Sequence, residues 1–340
     1  MTLKRTLGLL AGAVLTAALL AGCGPTAVIT SATPTPATPF PPQVTSEYTV
    51  PTASAGLTGV SKGSNEGVWF AEGTGNKIGY ISSGATIYEF ALTTPSAAPL
   101  SMILGQDSNV WFTESGTNKI GKSNSFGAIV EYTLPLASAR PFGIANGPDG
   151  ALWVTDPASN MIWRVTTDGL ATQYPIATPN ADPTNIIAGP NGALWFIEAA
   201  VDKIGEIVPT APTGTAPAEF PAATGAGLGV IVTGPDNALW FTETKLAKLG
   251  RMLTNGQFTG DTVLKGLTKP YGLVLGADAN LYIGDGGTDQ IAQFNVTSSA
   301  ITLYPTITKP AGINWLALGP DNELYFSETT ANKIAQFRYF

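Results

Sequence analysis

The sequence predicts an all-β fold, a seven-bladed β-propeller of four-stranded antiparallel blades, and three observations carry that prediction. One unit recurs seven times, marked by a Gly, a few turn residues, an aliphatic and an aromatic: Gly63 to Trp69, Gly105 to Trp111, Gly147 to Trp153, Gly189 to Trp195, Gly234 to Trp240, Gly276 to Tyr282 and Gly319 to Tyr325. Successive glycines stand 42, 42, 42, 45, 42 and 43 residues apart, and a period near 42 with four strands per unit is that of a propeller blade. Finally, the last copy stops one strand short, and a matching strand stands ahead of the first copy.

The elements follow in chain order. Lys4 and Arg5 precede an apolar run from Leu7 to Leu20, too short for the roughly 20 residues of a membrane-spanning helix, so residues 1–22 read as a secretory signal. The run ends in Leu20-Ala21-Gly22-Cys23, and Cys23 is the sole cysteine of the chain. These four residues resemble the lipobox of bacterial lipoproteins. The resemblance implies cleavage before Cys23, lipidation of its thiol, and an extracytoplasmic protein held on a bacterial membrane through that anchor. Gly24 follows where an acidic residue would suggest retention at an inner membrane. Residues 24–45 contain six Pro, six Thr and no charge. With Cys23 they read as an extended tether, which at about 3.1 Å per residue reaches roughly 68 Å.

The propeller is expected over residues 46–340. In the third copy, Phe142 to Asn146, Ala151 to Thr155, Met161 to Thr166 and Ala171 to Ile176 form a meander, strands A to D from the axis outward, joined by turns such as Gly147-Pro148-Asp149-Gly150. The seventh copy ends at strand C, Lys333 to Tyr339. Glu47-Tyr48-Thr49-Val50-Pro51 matches the strand D text Glu131-Tyr132-Thr133-Leu134-Pro135. An N-terminal strand D on the C-terminal hairpin would close the ring and cover a free edge.

Composition removes whole chemistries. There is no His and one Cys, so no Ser-His or Cys-His pair, no imidazole base and no Cys/His zinc site can be built. A net charge of −7, from 17 Lys+Arg against 24 Asp+Glu, with no basic cluster, argues against a nucleic-acid partner. A monomer is expected.

Strands alternate in direction, so the start of strand A and the end of strand B share one face. Eleven residues before each anchor aromatic stand Thr58, Leu100, Phe142, Thr184, Gly229, Tyr271 and Asn314, expected to rim the channel. Three residues after it stand Glu72, Glu114, Asp156, Glu198, Glu243, Asp285 and Glu328, acidic in every copy. Five of these have a Lys five residues on, at Lys77, Lys119, Lys203, Lys248 and Lys333, and are expected to be structural ion pairs across the B–C hairpin. Asp156 and Asp285 lack that Lys and are the better candidates to meet a ligand. Arg140, Asp182 and Lys269, each just before a Pro of strand A, offer charge at the rim, and Phe142 and Tyr271 offer flat apolar surface.

The repeat text, as in Gly234-Pro235-Asp236-Asn237-Ala238-Leu239-Trp240-Phe241-Thr242-Glu243 and Asn118-Lys119-Ile120-Gly121-Lys122, is similar to the virginiamycin B lyase (streptogramin lyase) family over about residues 46–340. The resemblance implies a seven-bladed propeller and an enzyme that linearises a cyclic depsipeptide antibiotic by elimination, with a His base and a divalent metal, usually Mg, held by acids. The family's His residues follow a Pro at the start of strand A in the last two repeats. Here those segments read Lys269-Pro270-Tyr271-Gly272-Leu273 and Lys309-Pro310-Ala311-Gly312-Ile313; the position falls on Tyr271 and on Ala311 by eye, or Asn314 by counting back from Tyr325. The acid before the motif's Pro is replaced by Lys309 or Gly312, and Glu328 stands near a metal-holding position. Two functions are therefore expected in order: a lyase-like propeller binding a small molecule or peptide at the start of strand A without the family reaction, or an active lyase with Tyr271 as base and Mg at Glu328. A protein-docking scaffold comes third.

Overall fold

The structure, a computed structural model, describes residues 41–339; the signal segment, Cys23 and most of the tether lie outside the described residues. Seven four-stranded sheets form the propeller, each paired A–B–C–D in antiparallel order, and each strand A contacts that of the next blade around a closed circle. Among the described residues no helix is long and apolar enough to cross a membrane.

Closure is the one expected. The first strand, Gln43–Thr49, pairs antiparallel with Lys333–Arg338, aligning Glu47 with Ala335 and Thr49 with Lys333. It begins three residues earlier than the sequence indicated, because Val44 is buried against the C-terminal strand, where Phe337 and Tyr339 belong to the same apolar cluster. In blade 3 strands A to D are Ile144–Asn146, Leu152–Asp156, Met161–Val165 and Ala171–Pro175, within two residues of expectation.

The anchor motif has a direct physical basis. In the A–B turn an Asp or Asn side chain accepts the anchor ring's own polar hydrogen, as in Trp111 Nε1 to Asp107 (3.0 Å), Trp195 Nε1 to Asn191 (3.0 Å) and Tyr282 Oη to Asp278 (2.9 Å). A buried indole N–H without a partner would be costly, so the turn residue and the aromatic come as a set. The motif glycine makes room for that ring: a Cβ on Gly147 would lie 2.4 Å from Trp153 Nε1.

Blade interiors obey a size exchange between strands B and C. Phe112 faces Gly121 and Phe196 faces Gly205, and a Cβ on either glycine would fall 2.0 or 2.1 Å from the ring. Blade 3 reverses the order, with the smaller Val154 on strand B opposite the larger Trp163 on strand C.

Candidate functional site

The face on which strand A begins is shaped by an interruption of pairing. In six blades the register between strands A and B shifts just after the first A residue, for example between Pro270 and Leu273 and between Ile313 and Leu316. A bulge of this kind re-aims the side chains it contains. Hydroxyls of strand B fill the gap, Thr242 Oγ1 accepting from Val230 N (3.0 Å) and Ser327 Oγ from Trp315 N (3.1 Å). Ile313 aligns with Glu328 as Pro270 does with Asp285, so Asn314, not Ala311, is the structural counterpart of Tyr271.

Three aromatic rings meet at this mouth. Trp315 of blade 7 lies 6.4 Å from Phe142 of blade 3, centroid to centroid, and 6.0 Å from Tyr271 of blade 6 in an edge-on arrangement. Blades 3 and 7 stand on opposite sides of the ring, so the rings bridge the channel. Small residues permit it: the positions equivalent to Trp315 hold Gly59, Ser101, Gly143 and Gly272 in four other blades. All three rings are half-buried. Trp315 did not enter the sequence reading, which placed Asn314 at the rim; the available sign was a lone Trp in a column of small residues.

The structure places the other expected residues less favourably. Burial pushes the Tyr271 hydroxyl up to about 12, the opposite of what a base requires; Lys269 is exposed two residues away, its backbone N–H donating to Asp285. Arg140 is exposed and turns its guanidinium onto the carbonyls of Ala139 (2.6 Å) and Ala137 (3.3 Å). Asp182 is exposed on the same face, in the left-handed conformation at φ 56°. Asn314 is half-buried.

Asp156 and Asp285, the acids without a local Lys, are both fully buried. Asp156 accepts the Arg140 and Ser159 backbone N–H groups (2.9 and 3.2 Å) and the Trp163 indole N–H (3.0 Å). Asp285 accepts those of Thr268 and Thr288 (3.2 and 2.9 Å). The shorter acid appears where a loop needs an anchor.

The five glutamates of the ring also differ from expectation. Their lysines bind instead to strand D acids: Lys77 to Glu89 (2.7 Å), Lys119 to Glu131 (3.0 Å), Lys203 to Glu219 (2.7 Å) and Lys248 to Asp261 (2.8 Å), with Lys333 reaching Glu47 of the first strand. In four blades a loop Thr completes the group, as Thr52 Oγ1 does at 2.7 Å from Lys77. Glu72, Glu114, Glu198, Glu243 and Glu328 are left fully buried behind these pairs. Burial, then the nearby strand D acid, pushes the first four up to about 7 and Glu328 up to about 8.

Mg does not fit Glu328. Mg is held by one or two ionised carboxylates completed by water or substrate, whereas Glu328 is fully buried and pushed up to about 8, and among the described residues no group of three or more acids, His or Cys converges on one point. Glu328 faces the strand D carboxylate of Glu47 and the Lys333 ammonium from inside the sheet.

The virginiamycin B lyase family matches over residues 40–224 and 210–339, most of the chain. The protein belongs to the virginiamycin B lyase family. A streptogramin B lyase structure is 29% identical, with a TM-score of 0.80 over 86% of this chain and 96% of that one. Virginiamycin B lyase from Staphylococcus aureus is 30% identical, with a TM-score of 0.81 over 87% and 99%. A catalytically inactive His-to-Ala variant of the Staphylococcus aureus lyase with quinupristin also matches, at 30% identity and a TM-score of 0.80 over 87% and 99%. No curated protein matches the chain. This member of the virginiamycin B lyase family has no His at all among its 340 residues.

Proposed function

We propose that this virginiamycin B lyase family member binds a small molecule or a cyclic peptide at the mouth where strand A begins, without carrying out the family's elimination. One observation carries the reading: the mouth presents three aromatic rings, Phe142, Tyr271 and Trp315, with no His in the chain and a raised Tyr271 hydroxyl, while the glutamates raised to about 7 and 8 lie fully buried behind the Lys–acid pairs. Ring faces give a ligand extended apolar contact. Exposed Lys269 and Asp182, from two different blades, would fix its orientation, and the Tyr271 hydroxyl is a donor rather than a base. Elimination beside a carbonyl needs a base within reach whose pKa lies near the working pH, a contribution of about 10²- to 10⁴-fold.

The same proposal takes the N-terminal reading with it: Cys23 carries the lipid, and the Pro/Thr-rich residues before Gln43 hold the propeller off an extracytoplasmic membrane surface.

The test uses the mature chain, quinupristin and magnesium. Calorimetry is expected to show saturable binding that weakens about tenfold or more in Trp315→Ala and Phe142→Ala, as loss of a buried aromatic anchor would produce, while mass spectrometry shows no linearised product. Product formation that disappears in Tyr271→Phe would establish the active lyase instead. Absence of both binding and product would leave the docking scaffold as the better reading.

A further inference from the structure

Next to the aromatic bridge, with Trp315 in its lining, the channel holds a cavity of about 520 Å³. Its wall is made by strand A of all seven blades and is mostly aliphatic, with Ile103, Leu104, Ile187, Val232, Val274 and Leu318 among the lining side chains. Trp315 lines it at one end. Lys62, the last residue of strand A in blade 1, lines it toward the opposite face. We infer that this cavity is a second binding site, taking one molecule of an apolar carboxylate, chain first, from the face on which strand A ends.

The chemistry of the lining fixes the ligand class. Its volume lies within the roughly 300–1,000 Å³ of small-molecule pockets, which are mostly apolar with a few orienting polar groups. Most of the polar side chains in the wall are already engaged. Asn146 Nδ2 donates to the Leu104 carbonyl (2.9 Å), Asn185 Oδ1 accepts from Ile231 N (2.9 Å) and Ser61 Oγ donates to the Lys62 carbonyl (3.1 Å). Lys62 is the one charged lining residue. It is exposed, and no ion pair engages it among the described residues.

Glu66, exposed in the same A–B turn, makes no ion pair with Lys62 among the described residues, and three other acids on that face are committed elsewhere. Asp107, Asp149 and Asp236 sit in A–B turns, each holding the indole N–H of its anchor Trp at 2.9 to 3.1 Å. They also pair with Lys122, Arg164 and Arg251, respectively. An aliphatic body fits the wall and an anionic head fits the lone ammonium. A neutral apolar molecule would leave that ammonium unused, and a polar anion would leave the wall unmatched. The site lies on the far side of the aromatic bridge from the mouth proposed above and does not depend on that reading.

Dodecanoate below its micellar concentration is the ligand for the test, titrated calorimetrically into the mature chain and two variants. One molecule per chain is expected to bind. Affinity should fall about tenfold in Lys62→Glu, the scale of one charge-assisted contact, and binding should vanish in Ala188→Trp, which fills the wall from an exposed lining position. Both variants should keep the parent melting temperature and its affinity for quinupristin, so that the fate of each site is read separately. Absence of saturable binding, or binding that both substitutions leave unchanged, overturns the site. An unchanged affinity in Lys62→Glu with loss in Ala188→Trp overturns the anionic head.

Discussion

Residue by residue, acidity is arranged oppositely on the two sides of strand C. Against the cost of burial, hydrogen bonds from Thr94, Lys119 and Thr93 pull Glu131 down to about 2, and Glu47, Glu89 and Glu219 are lowered by bonds of the same kind. The strand B glutamates are raised. A group raised in the folded state holds its proton there after the unfolded chain has lost it, so stability falls as pH climbs from the ordinary value of 4.5 toward 8. The lowered acids act in the other direction and lose their contribution as pH drops below that value. The melting temperature should therefore be higher near about pH 5.5 than near about pH 8.5. Glu198→Gln, neutral at every pH, should shrink that difference by removing one of five contributors. Equal melting temperatures at the two pH values, or an undiminished difference in Glu198→Gln, would refute the assignment. Much of this was hidden in the sequence. The spacing of Glu and Lys was visible, but which carboxylate the Lys would choose depends on the strand D acid twelve or sixteen residues further on, at Glu89, Glu131 and Glu219. Trp315 was hidden for a different reason: a bulge, which shifts side chains by one place, decides whether position 314 or 315 reaches the axis.

Elements were far more legible. The four strands per copy, their A-to-D order and the borrowed strand D all follow from a repeat whose hydrophobic pattern leaves one possible register. Only the start of the borrowed strand was missed, since Gln43, Val44 and Thr45 continue the Pro- and Thr-rich composition ahead of them and reveal their role only by pairing with Phe337 and Arg338. This strand also supplies Glu47, which accepts from Lys333 and from the Thr308 backbone N–H at 2.8 Å. Deleting residues 43–49 should lower the melting temperature strongly, by exposing the outer edge of the Lys333–Arg338 strand and stranding a Lys, whereas deleting residues 24–40 should leave it nearly unchanged. Thermal denaturation of the two truncations decides this, and equal melting temperatures would show that the seam contributes nothing.

At the scale of the whole molecule, the propeller brings together residues that lie far apart in the chain. Phe142 and Trp315 are 173 positions apart in sequence and face each other across the axis. The proposed anchor belongs to this scale as well: intact mass measurement of the protein purified from membranes should show a chain beginning at a diacylated Cys23, and an unmodified N-terminus would remove the tether from the proposal. Closure of the ring sets an order of events. Because Gln43–Thr49 finds its partner only in Lys333–Arg338, a growing polypeptide can complete six sheets and still carry an unsealed gap until that seventh-blade strand has been made. A circular permutant that joined the Arg338 end to Gln43 through a short linker and opened a loop between two middle blades would move that gap elsewhere in the circle, turning the latest step of assembly into one of the earliest.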